Sequence, residues 1–276
     1  MKRIVFISAL LLASFVSGRA QGPQMQIPGE EVFSNDDVVF HKIDDHTWVG
    51  TGHVMSNESL YLVEGNDISL LIDAGTNIKD LDQVVASITS KPVMLVATHV
   101  HPDHTGQSID AFPEIYLNQA DTVNIPQMMG NYKGIVKYLK DGQIIDLGGR
   151  TIQVVFTPGH TPGSTSFIDR VAHYGFSGDS FGSGNLLLTT SFSTLLSTCE
   201  KMSAVMEKYG ITKLYPGHYF GENLETKQRV DDEATICRDV LAGKLKGTDN
   251  PRGMLGLNLV INKYGVRINY NENAVK

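Results

Sequence analysis

The stretch Thr98-His99-Val100-His101-Pro102-Asp103-His104-Thr105-Gly106 packs three imidazoles and a carboxylate into six residues. It continues Val93 to Thr98, a largely apolar run that reads as a strand buried on both faces. Strand ends feeding loops are where a rigid scaffold presents functional groups. In an extended segment His99 and His101 point the same way, so both reach one ion. After the turn at Pro102, Asp103 and His104 face a second. Packing gives no comparable reason for four ligand-type side chains in so short a span. Imidazole nitrogen and carboxylate oxygen without thiolate suit zinc, and also iron or manganese.

Two ions need further ligands, and three loops offer them. His160 lies in Thr157-Pro158-Gly159-His160-Thr161-Pro162-Gly163-Ser164, Asp179 in Ser177-Gly178-Asp179-Ser180, and His218 in Tyr215-Pro216-Gly217-His218. Each repeats one grammar, a strand and then a ligand in a glycine-containing turn, as expected of a site along one sheet edge. The chain has 9 histidines. His41, His46 and His173 read as solvated or locally hydrogen-bonded. His53, in a glycine-rich loop, Asn185, after Gly182-Ser183-Gly184, and Tyr219, beside His218, are candidate substrate contacts. Ser164 and Ser180 adjoin ligands, but the imidazoles that would activate them are committed, so no Ser–His–Asp triad competes.

Outward from these loops, short strands alternate with helices. Leu60 to Val63 and Ile68 to Ile72 flank the turn Glu64-Gly65-Asn66-Asp67 and predict a hairpin. Leu81, Val84, Val85 and Ile88 predict a helix, ended by Lys91-Pro92. Further strand pairs are expected at 144–147 with 152–156, 164–168 with 173–177, and 257–261 with 266–270. Leu195, Leu196, Cys199, Met202, Val205 and Met206 form the stripe of a helix over 193–209, capped by Gly210. A strand at 212–215 precedes a helix over about 225–242. This mixed order fits a layered α/β fold in one domain, residues 21–276, without repeat or linker. The only two cysteines, Cys199 and Cys237, fall in helical patterns and suit core packing; a single disulfide is the alternative if the two helices are neighbours.

Residues 1–20 differ from the rest. Lys2 and Arg3 precede an apolar run from Ile4 to Val16, and Gly18-Arg19-Ala20 supplies small residues for cleavage. The run is short of the ~20 residues that span a bilayer, so it reads as an export signal. Its removal changes the net charge from −7 to −10 and leaves no apolar stretch of membrane length. The expected product is periplasmic or secreted. An acidic chain without a basic cluster does not suit nucleic acid. With 41% apolar and 19% charged residues it is neither disordered nor a coiled coil. Its partner is a small-molecule substrate; nothing in the pattern sets an oligomeric state.

The motif His99-Val100-His101-Pro102-Asp103-His104, with His160, Asp179 and His218 downstream and Asp73-Ala74-Gly75 upstream, resembles the metallo-β-lactamase superfamily. That resemblance implies an αββα sandwich with two metal ions at one edge of its sheets. By the same resemblance His99, His101 and His160 bind one ion, Asp103, His104 and His218 the other, and Asp179 bridges. Asp73 orients the metal-bearing loop. Two zinc ions ~3.5–4 Å apart lower the pKa of a shared water to near neutral, and Asp103 relays its proton. No cysteine accompanies Asp179, so the chain resembles the cysteine-free β-lactamases, which favours a β-lactam or similar cyclic amide or ester. Thioesterases and lactonases of glyoxalase II type are the alternative, and a single-iron oxygenase similar to persulfide dioxygenases is another. A non-catalytic binding protein fits poorly with a complete ligand set.

Overall fold

The computed structural model describes residues 27–55 and 57–276; the expected export signal lies outside these residues. Eight strands open the fold: β1 (Glu31–Ser34), β2 (Val38–Asp44), β3 (Thr47–Gly52), β4 (Ser59–Glu64), β5 (Ser69–Ile72), β6 (Val93–Val96), β7 (Glu114–Leu117) and β8 (Ile135–Tyr138). They form one sheet in chain order. Pairing is antiparallel through β5 and parallel from β5 to β8. Helix α1 (Leu81–Ile88) makes the β5–β6 crossover, and a short α2 (Ile125–Met128) lies between β7 and β8.

The second sheet contains β9 (Ile144–Asp146), β10 (Thr151–Phe156), β11 (Thr165–Asp169), β12 (Tyr174–Gly178) and, after β13 (Asn185–Leu187) and α3 (Phe192–Tyr209), β14 (Lys213–Pro216). Its order is β14-β12-β11-β10-β9, with only the β12–β14 pair parallel. After α4 (Lys227–Leu241) come β15 (Thr248–Asp249), β16 (Leu259–Lys263) and β17 (Val266–Tyr270).

Buried strands divide their side chains between two cores. In β4, Leu60 and Leu62 point toward α1, whereas Tyr61 and Val63 face the second sheet. In β5, Leu71 goes outward and Leu70 and Ile72 inward. Such runs are apolar throughout because both faces are covered, unlike the alternating pattern of a one-sided sheet. The inner core stacks Tyr61 on Phe176, ring centroids 4.8 Å apart, with Tyr215 beside both. Outside the second sheet, Leu195, Cys199, Met202 and Met206 of α3 meet Val230, Ala234, Cys237 and Val240 of α4. Helix, sheet, sheet and helix form the αββα sandwich.

Helix α3 starts at Ser191, whose hydroxyl accepts from Thr194 N at 3.2 Å, and stops at Gly210 with φ 64°. Cys199 and Cys237 are buried free thiols, in keeping with core packing. The expected C-terminal hairpin forms as β16 and β17, but it also recruits β13 in parallel, creating a third sheet of order β13-β17-β16-β15. Among the described residues, no helix is long and apolar enough to cross a membrane.

Phe176 is fully buried between the sheets. Phe176→Ala should therefore lower unfolding stability by about 3–5 kcal/mol, read as a fall in the urea midpoint at unchanged slope.

Candidate metal centre

The centre forms where β5, β6, β12 and β14 end. Asp73 follows β5 in the left-handed region, φ 64°, a conformation that Asp tolerates better than bulkier residues. Its carboxylate is buried and triply engaged. Thr98 N donates at 2.7 Å, Thr98 Oγ1 at 2.8 Å, and His104 Nδ1 lies at 2.8 Å. The 101–105 segment then closes a turn, with His104 N and Thr105 N both 2.9 Å from His101 O. Engaging His104 through Nδ1 leaves its Nε2 pointing into the centre.

Two glycines let the loops approach. A Cβ at Gly178, φ 51°, would sit 2.5 Å from Thr98 side-chain atoms. One at Gly217 would sit 2.2 Å from Asp179 Oδ1 and 2.7 Å from His104 Cε1. Gly217 N instead bonds Gly178 O at 2.8 Å, tying the Asp179 loop to the His218 loop.

Three groups of converging ligand atoms result: His99, His101 and His160; His99, His104 and Asp179; and Asp103, His104 and His218. In each, the atoms lie within 4.8 Å of one another. His101 Nδ1 is 3.1 Å from His99 Nε2 and 2.9 Å from His160 Nε2. A tetrahedral zinc with Zn–N of ~2.0–2.1 Å spaces its ligand nitrogens by ~3.3 Å, close to both values. His160 is aimed by its other nitrogen, Nδ1, 2.9 Å from Leu187 O. Asp179 lies between the outer groups, Oδ2 3.6 Å from His160 Nε2 and 3.5 Å from His218 Nε2, with Oδ1 3.7 Å from His104 Nε2. His218 Nε2 is also 3.4 Å from Asp103 Oδ2.

His104 Nε2 and Asp179 Oδ1 are buried without a hydrogen-bond partner among the described residues. Burying such atoms unpaired costs about 1–3 kcal/mol each, and a metal ion would pair with the Asp179 oxygen and, in exchange for the proton, with His104 Nε2. The electrostatics separate the groups. Burial, reinforced by His160 and His104, pushes His101 down to about 4, and burial holds His99 well below its ordinary value. These imidazoles are neutral, the ligand form. Burial opposes charge on His104 too, but Asp73, Asp103 and Asp179 outweigh it and lift its pKa to about 9. Asp179 and Asp103 lift His218 against burial to about 11. In return, His104 and His218 overcome burial to hold Asp103 at about 2. The donor set thus has a three-nitrogen end and a carboxylate-rich end, and its chemistry fits divalent metal ions.

A cavity of about 480 Å³ opens onto His101, Asp103, His160, Asp179 and His218. Of the candidate substrate contacts, only Asn185 lines it, its Oδ1 accepting from Asn269 Nδ2 at 2.9 Å. His53 is exposed and engages Asp36 O at 2.9 Å. Tyr219 is buried and donates to Gly221 O at 2.8 Å. His46 pairs with Glu64, and His173 meets Tyr209 O. His41 is half-buried, and its Nδ1 has no hydrogen-bond partner among the described residues.

Sequence reasoning missed Asp121, Glu58 and the apolar walls. Buried Asp121 accepts from Gly163 N at 2.7 Å, Thr161 Oγ1 at 3.0 Å and Val100 N at 3.2 Å, joining the His160 loop to the His99–His101 segment. Glu58 accepts from Met55 N at 2.8 Å and Thr76 N at 3.2 Å. An acidic residue in a polar stretch carries no periodic signal, so neither stood out.

Residues 117–218 match the family described as the metallo-beta-lactamase superfamily. The chain is 25% identical over 227 residues to the acyl-coenzyme A thioesterase MBLAC2 of Gallus gallus, covering 66% of this chain and 81% of that one. It is 28% identical over 198 residues to the atrochrysone carboxyl ACP thioesterase of Aspergillus fumigatus, 68% of this chain and 59% of that one. Among solved structures, a metallo-beta-lactamase from Pontibacter korlensis superposes with TM-score 0.59 at 17% identity, over 74% of this chain and all of that one; at this identity the likeness shows the fold.

Asp73→Asn keeps a residue tolerant of the left-handed backbone but removes the charge behind His104. Metal affinity should fall about 10- to 100-fold in competition with a chromophoric chelator, the fold being checked by circular dichroism. Unchanged affinity would count against a positioning role for Asp73.

Proposed function

Because the chain is a metallo-hydrolase of the metallo-β-lactamase superfamily, we propose that it holds two zinc ions and cleaves a small activated carbonyl compound, a thioester before others, after export. One observation carries the reading: seven ligand-type side chains converge where a cavity of about 480 Å³ reaches them. His99, His101 and His160 would hold one ion, Asp103, His104 and His218 the other, with Asp179 between them. Bound divalent cations supply Lewis acidity that polarises a carbonyl oxygen and makes water more acidic.

The protein's own groups do the rest. Asp103 borders the cavity and is ionised at neutral pH. Its carboxylate accepts a hydrogen bond from the attacking water and takes the proton as the new carbon–oxygen bond forms. It returns that proton to the sulfur or oxygen that leaves as the acyl bond breaks. Leu187 O and the Asp73 carboxylate fix the His160 and His104 rings, so neither ring needs to reorient during the reaction.

The thioester preference rests on the two curated relatives, both thioesterases by name. It displaces the β-lactam class from first place, since the solved neighbours that bear that name share only the fold with this chain. The lactonase reading uses the same chemistry on a ring ester. The oxygenase reading needs a single iron on the three-histidine end.

Metal analysis of the purified chain should give two zinc ions, and a screen of thioesters, lactones, β-lactams and phosphodiesters should single out thioesters. Asp103→Asn should lower kcat by about 100-fold or more with metal retained. One iron per chain, or undiminished turnover by this variant, overturns the mechanism. The export proposal has a separate check: amino-terminal sequencing of the exported protein should begin at Gln21, whereas an intact 1–20 segment refutes cleavage.

A further inference from the structure

The cavity over the centre is walled mainly by apolar side chains from distant segments: Met55, Met128, Leu187, Phe220, Met254 and Leu255. Three of them are exposed although apolar, Met55 at 40%, Leu255 at 57% and Met254 at 63%. Exposed apolar groups gathered around a polar reaction centre mark a binding surface rather than a core. Leu255 breaks a second local rule. Its φ of 56° and ψ of 23° place it in the left-handed region, where a bulky residue costs free energy without a compensating contact. Gly256 follows it in the same left-handed region, φ 73°, so the turn is made by both residues, and the leucine side chain lines the cavity.

The charges are as informative. Among the described residues no lysine or arginine lines this cavity, and its charged groups outside the imidazoles are Asp103 and Asp179. A second cavity of about 470 Å³ shares Pro102 and Met128 with the first and extends away from the centre. It too lacks lysine and arginine, and it contains Asp110. Phosphate recognition uses guanidinium or ammonium groups, or backbone amides at a helix start. A chain of net charge −7 adds repulsion toward a polyanion.

We propose, resting on the hydrolase reading above, that the substrate carries an uncharged, flexible acyl chain against Met254 and Leu255, and gains no affinity from a phosphorylated carrier. The preferred substrate class is a medium-chain acyl thioester or ester with a neutral leaving group. This departs from the coenzyme A and carrier-protein thioesters named for the relatives. Methionine suits such a wall because its unbranched, polarisable side chain adapts to chains of different length.

The test compares neutral S-acyl-N-acetylcysteamine thioesters from acetyl to decanoyl with the coenzyme A thioesters of the same acids, using the zinc-loaded full chain. Each added methylene should raise kcat/KM about three- to fourfold until the cavity is filled. At equal acyl length the coenzyme A series should be no better than the neutral one. Leu255→Asp should reduce the octanoyl-to-acetyl ratio of kcat/KM at least tenfold, and Met254→Gln should reduce it less. A flat length profile, or a tenfold preference for the coenzyme A series, overturns the proposal. Calorimetric binding of alkyl hydroxamic acids from acetyl to decanoyl separates the two readings. Affinity that rises with chain length and falls in Leu255→Asp, without turnover of any ester or thioester, would sink the hydrolase and keep the acyl site. Turnover with length-independent hydroxamate affinity would do the reverse.

Discussion

The carboxylate of Asp73 joins the end of β5 to the segment that follows β6, accepting from both Thr98 N and Thr98 Oγ1 while it fixes His104 Nδ1. That brace positions the segment bearing His99, His101, Asp103 and His104 relative to the sheet, together with the backbone bonds Ala74 N to His104 O at 2.9 Å and Thr165 N to Thr98 O at 2.8 Å. A buried carboxylate is tolerable only when its lone pairs are used, and here three partners from the segment after β6 use them. The left-handed backbone at Asp73 is the accompanying strain. It turns the chain sharply after β5, so that the side chain reaches back under the next strand.

The same device recurs around the cavity. Asp121 ties the His160 loop to Val100, Glu58 ties the Met55 loop to Thr76, and Glu225 accepts from Ser183 N at 2.7 Å beside the Asn185 wall. Burial pushes Glu225 upward in pKa while Arg229 and Ser183 act against that rise. Each carboxylate fastens one loop through backbone amides, which do not depend on the side chains of that loop. The loops can therefore vary at their tips while the ligand positions stay fixed. That separation lets one fold hold a constant centre beneath interchangeable walls.

The ligand motif was legible because its residues are close in sequence and chemically unlike their surroundings. His160, Asp179 and His218 were legible because each follows a strand at a glycine turn, a local pattern. The hairpins and long helices followed from periodicity in the same way. What escaped were features made by distance. β13 joins β17 some eighty residues later, and three-residue strands have no period to detect. Asp121 and Glu58 look like any surface acid until the loops they brace are folded onto them. Met254 and Leu255, just before the expected strand at 257–261, carried no signal, because an apolar residue shows its type in sequence but not what it faces.

The apolar walls and the charged centre also depend on each other. Asp103 and Asp179 place two carboxylates at the floor of the cavity, which favour metal ions that displace the protons of His104 and His218, while the imidazoles of His99 and His101 stay neutral through burial. Methionine, leucine and phenylalanine side chains above them limit the water that would screen this field. A weaker screen strengthens the attraction of these carboxylates for a metal ion. Covering the floor with lysine or arginine would compete with the cations for Asp103 and Asp179. Among the described residues the lining carries no lysine or arginine, which leaves Asp103 and Asp179 open to a metal ion and is in keeping with the uncharged substrate proposed above.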